Sequence, residues 1–310
     1  MSQARMLQPR TLQPRTSAVS QLRQALAAPG LLRMPCCFDA FSARLVEQAG
    51  FPLTFMSGFA VSASRLALPD TGLISYGEML DQGRQICQAV QLPVIGDADT
   101  GYGNAVNVQR TVLGYAAAGF AGLMIEDQVA PKRCGHTRGK EVVERDAAFE
   151  RLAAALDARE QLRAHGQDLL IIARTDARAS RGLGEAIARA QRFAEMGADV
   201  LFVEAPCNEQ ELQIIARDVP GHKMANLVEQ GDTPVLPPSV LAALGFKIAA
   251  YPLTLLSAAA RAMQNALLAL QGEQHPCELL AFTDLQAIVG FPEYDATLRR
   301  LQPSTAPLAR

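Results

Sequence analysis

From about residue 31 onward, short apolar runs closed by polar residues or glycine alternate with stretches of helical periodicity, the signature of repeated strand–helix units. The runs that read as strands are 31–39 (LLRMPCCFD), 52–58 (PLTFMSG), 93–99 (PVIGDAD), 122–128 (GLMIEDQ), 169–176 (LLIIARTD), 200–205 (VLFVEA), 223–229 (KMANLVE) and 246–252 (FKIAAYP). Between two of them Ile187, Ala190 and Ala194 recur at helical spacing, and Gly197 closes that helix. Eight strands, eight intervening helices and no break in composition predict one closed (β/α)8 TIM barrel over residues 25–310. A doubly wound open sheet shares this alternation, and periodicity alone does not separate the two; the strand count favours the barrel. Ser57, Asp97, Asp99, Glu126, Arg174, Glu204 and Asn226 all fall at the C-terminal ends of predicted strands 2 to 7. In a barrel those ends meet at a single mouth, where active sites of this architecture are built.

Composition sharpens the picture in three respects. A hydrophobic fraction of 49% with 19% charged residues supplies a large core and leaves disorder only to the ends. A formal net charge of -2 offers no basic face for nucleic acid, so small molecules are the expected partners. The six cysteines lack framework spacing and Cys36 adjoins Cys37, which fits a reduced compartment. With no apolar signal segment and no stretch long enough to span a bilayer, the expectation is the cytoplasm and no membrane association. Residues 1–23 hold Arg5, Arg10, Arg15 and Arg23 and no acid, a faintly transit-like trait, but the duplication LQPRT-LQPRT at 7–16 reads as a low-complexity tail, assigned to 1–24.

Two segments carry most of the chemistry. In Asp97-Ala98-Asp99 the strand alternation turns both carboxylates to one side, and paired hard oxygen ligands suit Mg²⁺ or Mn²⁺. Taken singly, the pair also reads as ordinary acids in a strand-to-loop turn. Glu126-Asp127 at the end of the next strand strengthens the metal reading, because several clustered acids repel one another without a cation. The second segment is Lys132-Arg133-Cys134-Gly135-His136, which places two cations, a thiol, a hinge and an imidazole in five residues. Zinc is disfavoured there because Cys134 and His136 lack a second ligand pair nearby. Pro131, Gly135 and Gly139 bracket the cysteine and predict a lid over the site.

The string Lys132-Arg133-Cys134-Gly135-His136 resembles the signature of the isocitrate lyase and phosphoenolpyruvate mutase superfamily, as found in isocitrate, methylisocitrate and 2-alkylmalate lyases. The resemblance runs from roughly residue 33 to 295 and includes Ser57-Gly58, Leu68-Pro69-Asp70, Asp97 to Gly103, Ile125 to Gln128, Ala173 to Asp176, Glu204-Ala205 and Asn226. It implies a Mg²⁺-dependent carbon–carbon lyase acting on a 2-hydroxy-dicarboxylate. Asp97 and Asp99 would hold the ion, with Glu126 and Asp70 behind them. Ser57, Gly58, Phe59, Gly135, Arg174, Asn226 and Pro252 would bind substrate, and Glu204 and His136 would line the pocket. Cys134 would protonate the departing enolate, with Lys132, Arg133 and His136 as its catalytic neighbours. The resemblance also implies a homotetramer that exchanges its last barrel helix, here about Leu253 to Leu270.

Departures from the family pattern narrow the substrate. Methylisocitrate lyases resemble the chain through Asn226, Gly231-x-Thr233-Pro234 and Tyr251-Pro252-Leu253, but carry an Arg where this chain has Ser257. A second family Arg is replaced by Phe282. A third substrate carboxylate would then lack its partners, which favours a dicarboxylate. Oxaloacetate hydrolases place Ser where Pro252 stands, so 2,3-dimethylmalate, giving pyruvate and propionate, is the expected substrate. Methylisocitrate lyase, oxaloacetate hydrolase and a non-catalytic barrel are the alternatives. A Tyr found in some relatives is Phe55 here, leaving the general base open between an alkoxide at the metal and water held by Asp70 or Glu126.

Overall fold

The computed structural model describes residues 17–135, 137 and 139–302. Every predicted apolar run contains a strand: β1 (Leu32–Cys37), β2 (Thr54–Met56), β3 (Val94–Asp97), β4 (Gly122–Glu126), β5 (Leu170–Thr175), β6 (Val200–Val203), β7 (Lys223–Asn226) and β8 (Ile248–Tyr251). They pair in parallel in sequence order, and β1 closes on β8 through Leu32↔Ile248 to Pro35↔Tyr251. The closed (β/α)8 barrel is therefore the architecture, and the open sheet is excluded.

Alternation along the strands sorts the core into an inner and an outer layer. Met34, Cys36, Phe55, Ile95, Met124, Leu170, Ile172, Val200, Phe202, Met224, Ile248 and Ala250 share one inner cluster. Their strand neighbours Leu123, Ile125, Ile171 and Ala173 pack outward against the helices Tyr76–Ala89, Ala105–Ala118 and Arg145–Ala164, while Leu201, Val203 and Ala249 do so elsewhere around the ring. Strands buried on both faces explain why their sequences read as nearly unbroken apolar runs.

The expected tail over 1–24 needs a correction at its end. A helix spans Ala18–Ala27, capped by Ser17, whose hydroxyl accepts from the amide of Ser20. Leu22 is fully buried and, with Leu26, joins the inner cluster. Four-residue spacing of those leucines gives this short amphipathic helix its apolar stripe, which the basic composition around it obscured. Residues 1–16 lie outside the described residues.

The chain divides into two compact units, the barrel up to Ala259 and a second unit from Ala260. In the second, the helices Phe282–Val289 and Phe291–Leu301 follow the end of the long helix Thr254–Gln271. Among the described residues no helix is long and apolar enough to cross a membrane.

Candidate active site

The polar residues at the barrel mouth occupy positions dictated by the inner layer. Ser57 follows Phe55 by two, Asp97 follows Ile95, Glu126 follows Met124, Arg174 follows Ile172, Glu204 follows Phe202 and Asn226 follows Met224. Period-two alternation thus turns each toward the barrel axis, one layer above its apolar predecessor. A cavity at this end is lined by Ser57, Phe59, Asp70, Asp97, Lys132, Arg133, Cys134, Gly135, Arg174, Glu204, Asn226 and Pro252 among others. Its remaining walls are largely apolar: Phe55, Met124, Phe202, Met224, Val228, Ala250 and Leu253, with Cys36. Gly58, Asp99 and Glu126 lie behind this lining, and His136 lies outside the described residues.

Asp97 is held by backbone donors. Its carboxylate accepts from the amide of Gly58 at 3.2 Å and from the amide of Asp99 at 3.1 Å. Gly58 opens the helix Gly58–Leu66, so Asp97 sits at the positive end of that helix. A Cβ on Gly58 would stand 2.6 Å from Asp97 Oδ2, so the close approach requires glycine. Asp99 reaches the site differently from the way the alternation predicts. Strand β3 stops at Asp97, and Asp99 adopts a left-handed backbone with φ 47°, curled back by the bond from its own amide to Asp97.

Around these acids the charges do not balance. Lys132 Nζ pairs with Asp70 Oδ1 at 2.5 Å and Asp99 Oδ1 at 2.8 Å. Arg174 makes a two-pronged contact with Asp176, Nε to Oδ2 at 2.8 Å and Nη2 to Oδ1 at 2.9 Å. It also meets Glu126 Oε2 at 3.3 Å and Glu204 Oε2 at 3.2 Å, and its guanidinium stands 5.4 Å from the Phe202 ring centre. At this mouth, among the described residues, the buried carboxylates Asp70, Asp97, Asp99, Glu126, Asp176 and Glu204 outnumber the buried cations Lys132, Lys140 and Arg174, while the adjoining Asp127 is matched by Arg189. Burial, and then the neighbouring Asp99 carboxylate, push Asp97 above the usual carboxylate range. Burial raises Asp99 too, against the pull of Lys132, and lifts Glu126 well above its ordinary value despite Arg174. Burial disfavours charge on Lys132, yet Asp99, Asp97 and Asp70 together hold it well above the lysine range.

A divalent cation fits this donor set. Excess buried negative charge needs a counter-charge, and the buried Glu126 Oε1 has no hydrogen-bond partner among the described residues. No group of three or more His, Cys, Asp or Glu is arranged as a ligand cage among the described residues. Mg²⁺ does not require one, because it keeps several waters and uses one or two carboxylates plus substrate oxygens.

The segment carrying Cys134 is pinned at its base. Gln128 and Val142 form an antiparallel bridge, the Val129 amide donates to the Glu141 carbonyl at 2.9 Å, and the Val143 amide to Asp127 at 2.9 Å. Within the loop, the Gln128 side chain exchanges hydrogen bonds with the Arg133 backbone in both directions, each 2.9 Å. The Cys134 amide donates to the Asp70 carbonyl at 3.1 Å, leaving the half-buried thiol at the cavity wall. Gly135 packs so closely that an added Cβ would lie 2.5 Å from Glu204 Oε2 and 2.6 Å from Arg174 Nη2.

Other residues support the site from outside the cavity lining, among them Asp127, which the sequence grouped with Glu126 as a clustered acid but which is engaged by Thr175, Asp176 and Arg189 instead. Asp127 accepts from Thr175 Oγ1 at 2.7 Å and the Asp176 amide at 2.9 Å, and pairs with the fully buried Arg189 at 3.0 Å. Arg151 donates to the carbonyls of Glu126 and Gln128 at 2.6 and 3.0 Å, fixing the end of β4. Lys140 is buried and joins Gly135 to Asp176. Only the adjacency of Asp127 to Glu126 was visible in the sequence as a signal; the others depend on contacts made across the fold.

Comparison with known proteins accords with this geometry. The phosphoenolpyruvate phosphomutase family matches residues 22–271. The chain is 40% identical to 2,3-dimethylmalate lyase of Eubacterium barkeri over 83% of its own length and 87% of that protein's. It is 43% identical to a probable 2-methylisocitrate lyase of Corynebacterium glutamicum, covering 79% and 78%. Among solved structures, oxaloacetate acetylhydrolase with 3,3-difluorooxalacetate superposes with a TM-score of 0.87 at 32% identity, over 92% of this chain and 97% of that one. Phosphonopyruvate hydrolase with oxalate and Mg²⁺ superposes at 0.81 and 30%, over 92% and 99%. The chain therefore belongs to the phosphoenolpyruvate mutase and isocitrate lyase superfamily, and is an enzyme of its carbon–carbon lyase type.

Proposed function

We propose that the enzyme cleaves the C2–C3 bond of a 2-hydroxy-dicarboxylate, with 2,3-dimethylmalate as substrate and pyruvate and propionate as products. The observation that carries this reading is the shared cavity: the Asp97 carboxylate, the Arg174 guanidinium and the Cys134 thiol all open onto it. Asp97 and Asp99, backed by Glu126 and Asp70, would hold Mg²⁺, or Mn²⁺ in its place. When bound there the cation supplies positive charge that lowers the cost of ionising the C2 hydroxyl.

The chain's own residues account for the remaining chemistry. Arg174, oriented by Asp176, Glu126 and Glu204, offers donors to the 2-oxo-acid half, with Ser57 and Asn226 beside it. As the C2–C3 bond breaks, its electron pair passes into the second fragment, forming the enediolate of propionate. Cys134 donates its proton to the former C3 carbon, while the proton lost from the C2 hydroxyl leaves with the general base. Lys132 and Arg133 place positive charge at the same wall as negative charge develops. The seated loop excludes water from the enediolate.

The walls favour alkyl substituents over a third carboxylate. Met224, Val228, Ala250, Pro252 and Leu253 give an apolar side to the cavity, and Ser257 is exposed and absent from its lining. A tricarboxylate such as methylisocitrate would bury a charge there without a partner. The similarity to oxaloacetate acetylhydrolase makes hydrolysis of oxaloacetate the second reading. Incubation with 2,3-dimethylmalate, methylisocitrate and oxaloacetate, with and without Mg²⁺, separates them: pyruvate with propionate supports the first reading, and oxalate with acetate the second. We also propose that the enzyme works in the cytoplasm, consistent with six cysteines and no disulfide framework in the sequence.

A further inference from the structure

Lys140 lies beyond the five-residue signature, yet its side chain is only 3% exposed. Its ammonium donates to the carbonyl of Gly135 and lies 3.4 Å from Asp176 Oδ1. The Gly135 carbonyl belongs to the residue immediately after Cys134. The same Asp176 oxygen accepts from Arg174 Nη2, and Gly135 itself packs against Arg174 and Glu204. One buried cation therefore touches both the loop that carries the thiol and the carboxylate that aims the guanidinium.

We infer that Lys140 is a positioning residue, a latch that fixes the Cys134 loop in its seated conformation and couples that seating to the orientation of Arg174 through Asp176. A buried lysine costs desolvation, which only paired charge and hydrogen bonds offset, so the contact forms fully only when the loop is down and Asp176 is in place. Lys140 adjoins the pinned base of the loop, next to Glu141, whose carbonyl accepts from the Val129 amide, so withdrawal of Gly135 would strip the buried ammonium of that carbonyl while it stays beside Asp176. That penalty favours the seated state, which sets Cys134 at the cavity wall. Substrate does not need to touch Lys140 for the residue to matter. The catalytic consequence rests on Cys134 being the proton donor; the latch itself does not.

The test compares alkylation of Cys134 by iodoacetamide in the full-length parent and in Lys140→Met, followed residue by residue by mass spectrometry. Cys207, which is exposed, serves as the internal reference. The latch predicts Cys134 alkylation about tenfold or more faster in Lys140→Met, the scale expected for a lost hydrogen bond to a charged group, with Cys207 unchanged. Lys140→Arg, which keeps the charge and the donors, is expected to slow Cys134 alkylation relative to Lys140→Met and to recover turnover. Lys140→Gln keeps a polar terminus in the buried position but no charge, and is expected to speed Cys134 alkylation as well, so the test survives if Lys140→Met fails to fold. Parental Cys134 rates in a folded Lys140→Met or Lys140→Gln would overturn the proposal. Alkylation requires no turnover, so absence of lyase activity in the parent would count against the proposed reaction and leave the latch to be decided by these rates.

Discussion

Arg174 meets Asp176, Glu126 and Glu204 at once, so its guanidinium has little rotational freedom, and replacing it by lysine would lose the two-pronged contact as well as the fork presented to substrate. Cys134 has the more direct chemical role in the proposed reaction. Cys134→Ser is expected to lower kcat by about 100-fold or more, the usual contribution of a positioned general acid, with little change in oxalate affinity measured by calorimetry. A serine variant that turns over at the parental rate would remove the thiol from the mechanism. Gly58→Ala drives a methyl group into Asp97 Oδ2 and is expected to weaken Mg²⁺ binding by about tenfold, read by metal titration, whereas an unchanged affinity would detach Asp97 from the ion. At this scale much of the site was legible, because Ser57, Asp97, Glu126, Arg174, Glu204 and Asn226 each continue the inner parity of a strand. Arg189 was not: it lies on a helix whose pattern marks it as polar surface, and its burial follows from an ion pair with Asp127, 62 positions earlier in the chain.

At the level of elements, the loop between Gln128 and Val142 is closed at its base by a short antiparallel bridge, and we propose that it acts as a flap hinged there. Gly135→Ala places a Cβ within 2.6 Å of Arg174 and is expected to hold the flap off its seat. Trypsin should then cut within 131–140 faster than in the parent, and oxalate with Mg²⁺, expected to protect the parental loop, should protect the variant less; equal protection of both would contradict the flap. The helix Leu183–Met196 ties this region to the outer ring through Arg189, which pairs with Asp127 and with Glu185 at 2.8 Å. Hydrogen bonding from Arg145, opposed by partial burial and helped by Arg189, lowers Glu185 from 4.5 to about 2. A depressed folded-state value adds stability that is full above the unfolded value and lost as pH falls toward the folded one. Urea unfolding should therefore show the parent losing more stability than Glu185→Gln between about pH 5 and pH 2, and parallel pH profiles would refute the assignment. The strands were readable because burial on both faces leaves an unmistakable apolar run. The helix Ala18–Ala27 was missed because only Leu22 and Leu26 are buried in it and the surrounding residues resemble the tail.

For the molecule as a whole, closure of eight parallel strands gathers residues scattered from Ser57 to Leu253 at one mouth, which is why a sequence pattern could forecast a site. Quaternary structure follows from a different signal. No residue of the helix Thr254–Gln271 is buried, and Leu267 and Leu268 are 61% and 65% exposed. An apolar helix of this kind needs a partner surface, and we propose that it is exchanged between subunits of a homotetramer. Size-exclusion chromatography with light scattering should give the tetramer mass, while a stable monomer would refute the exchange. The proposed reaction itself stands or falls on product identity. With Mg²⁺, 2,3-dimethylmalate should yield equal amounts of pyruvate and propionate, faster than methylisocitrate yields its 2-oxo acid, and chelation of the metal should stop release. Preferential turnover of methylisocitrate, oxalate from oxaloacetate as the dominant product, or no metal-dependent product would overturn the assignment.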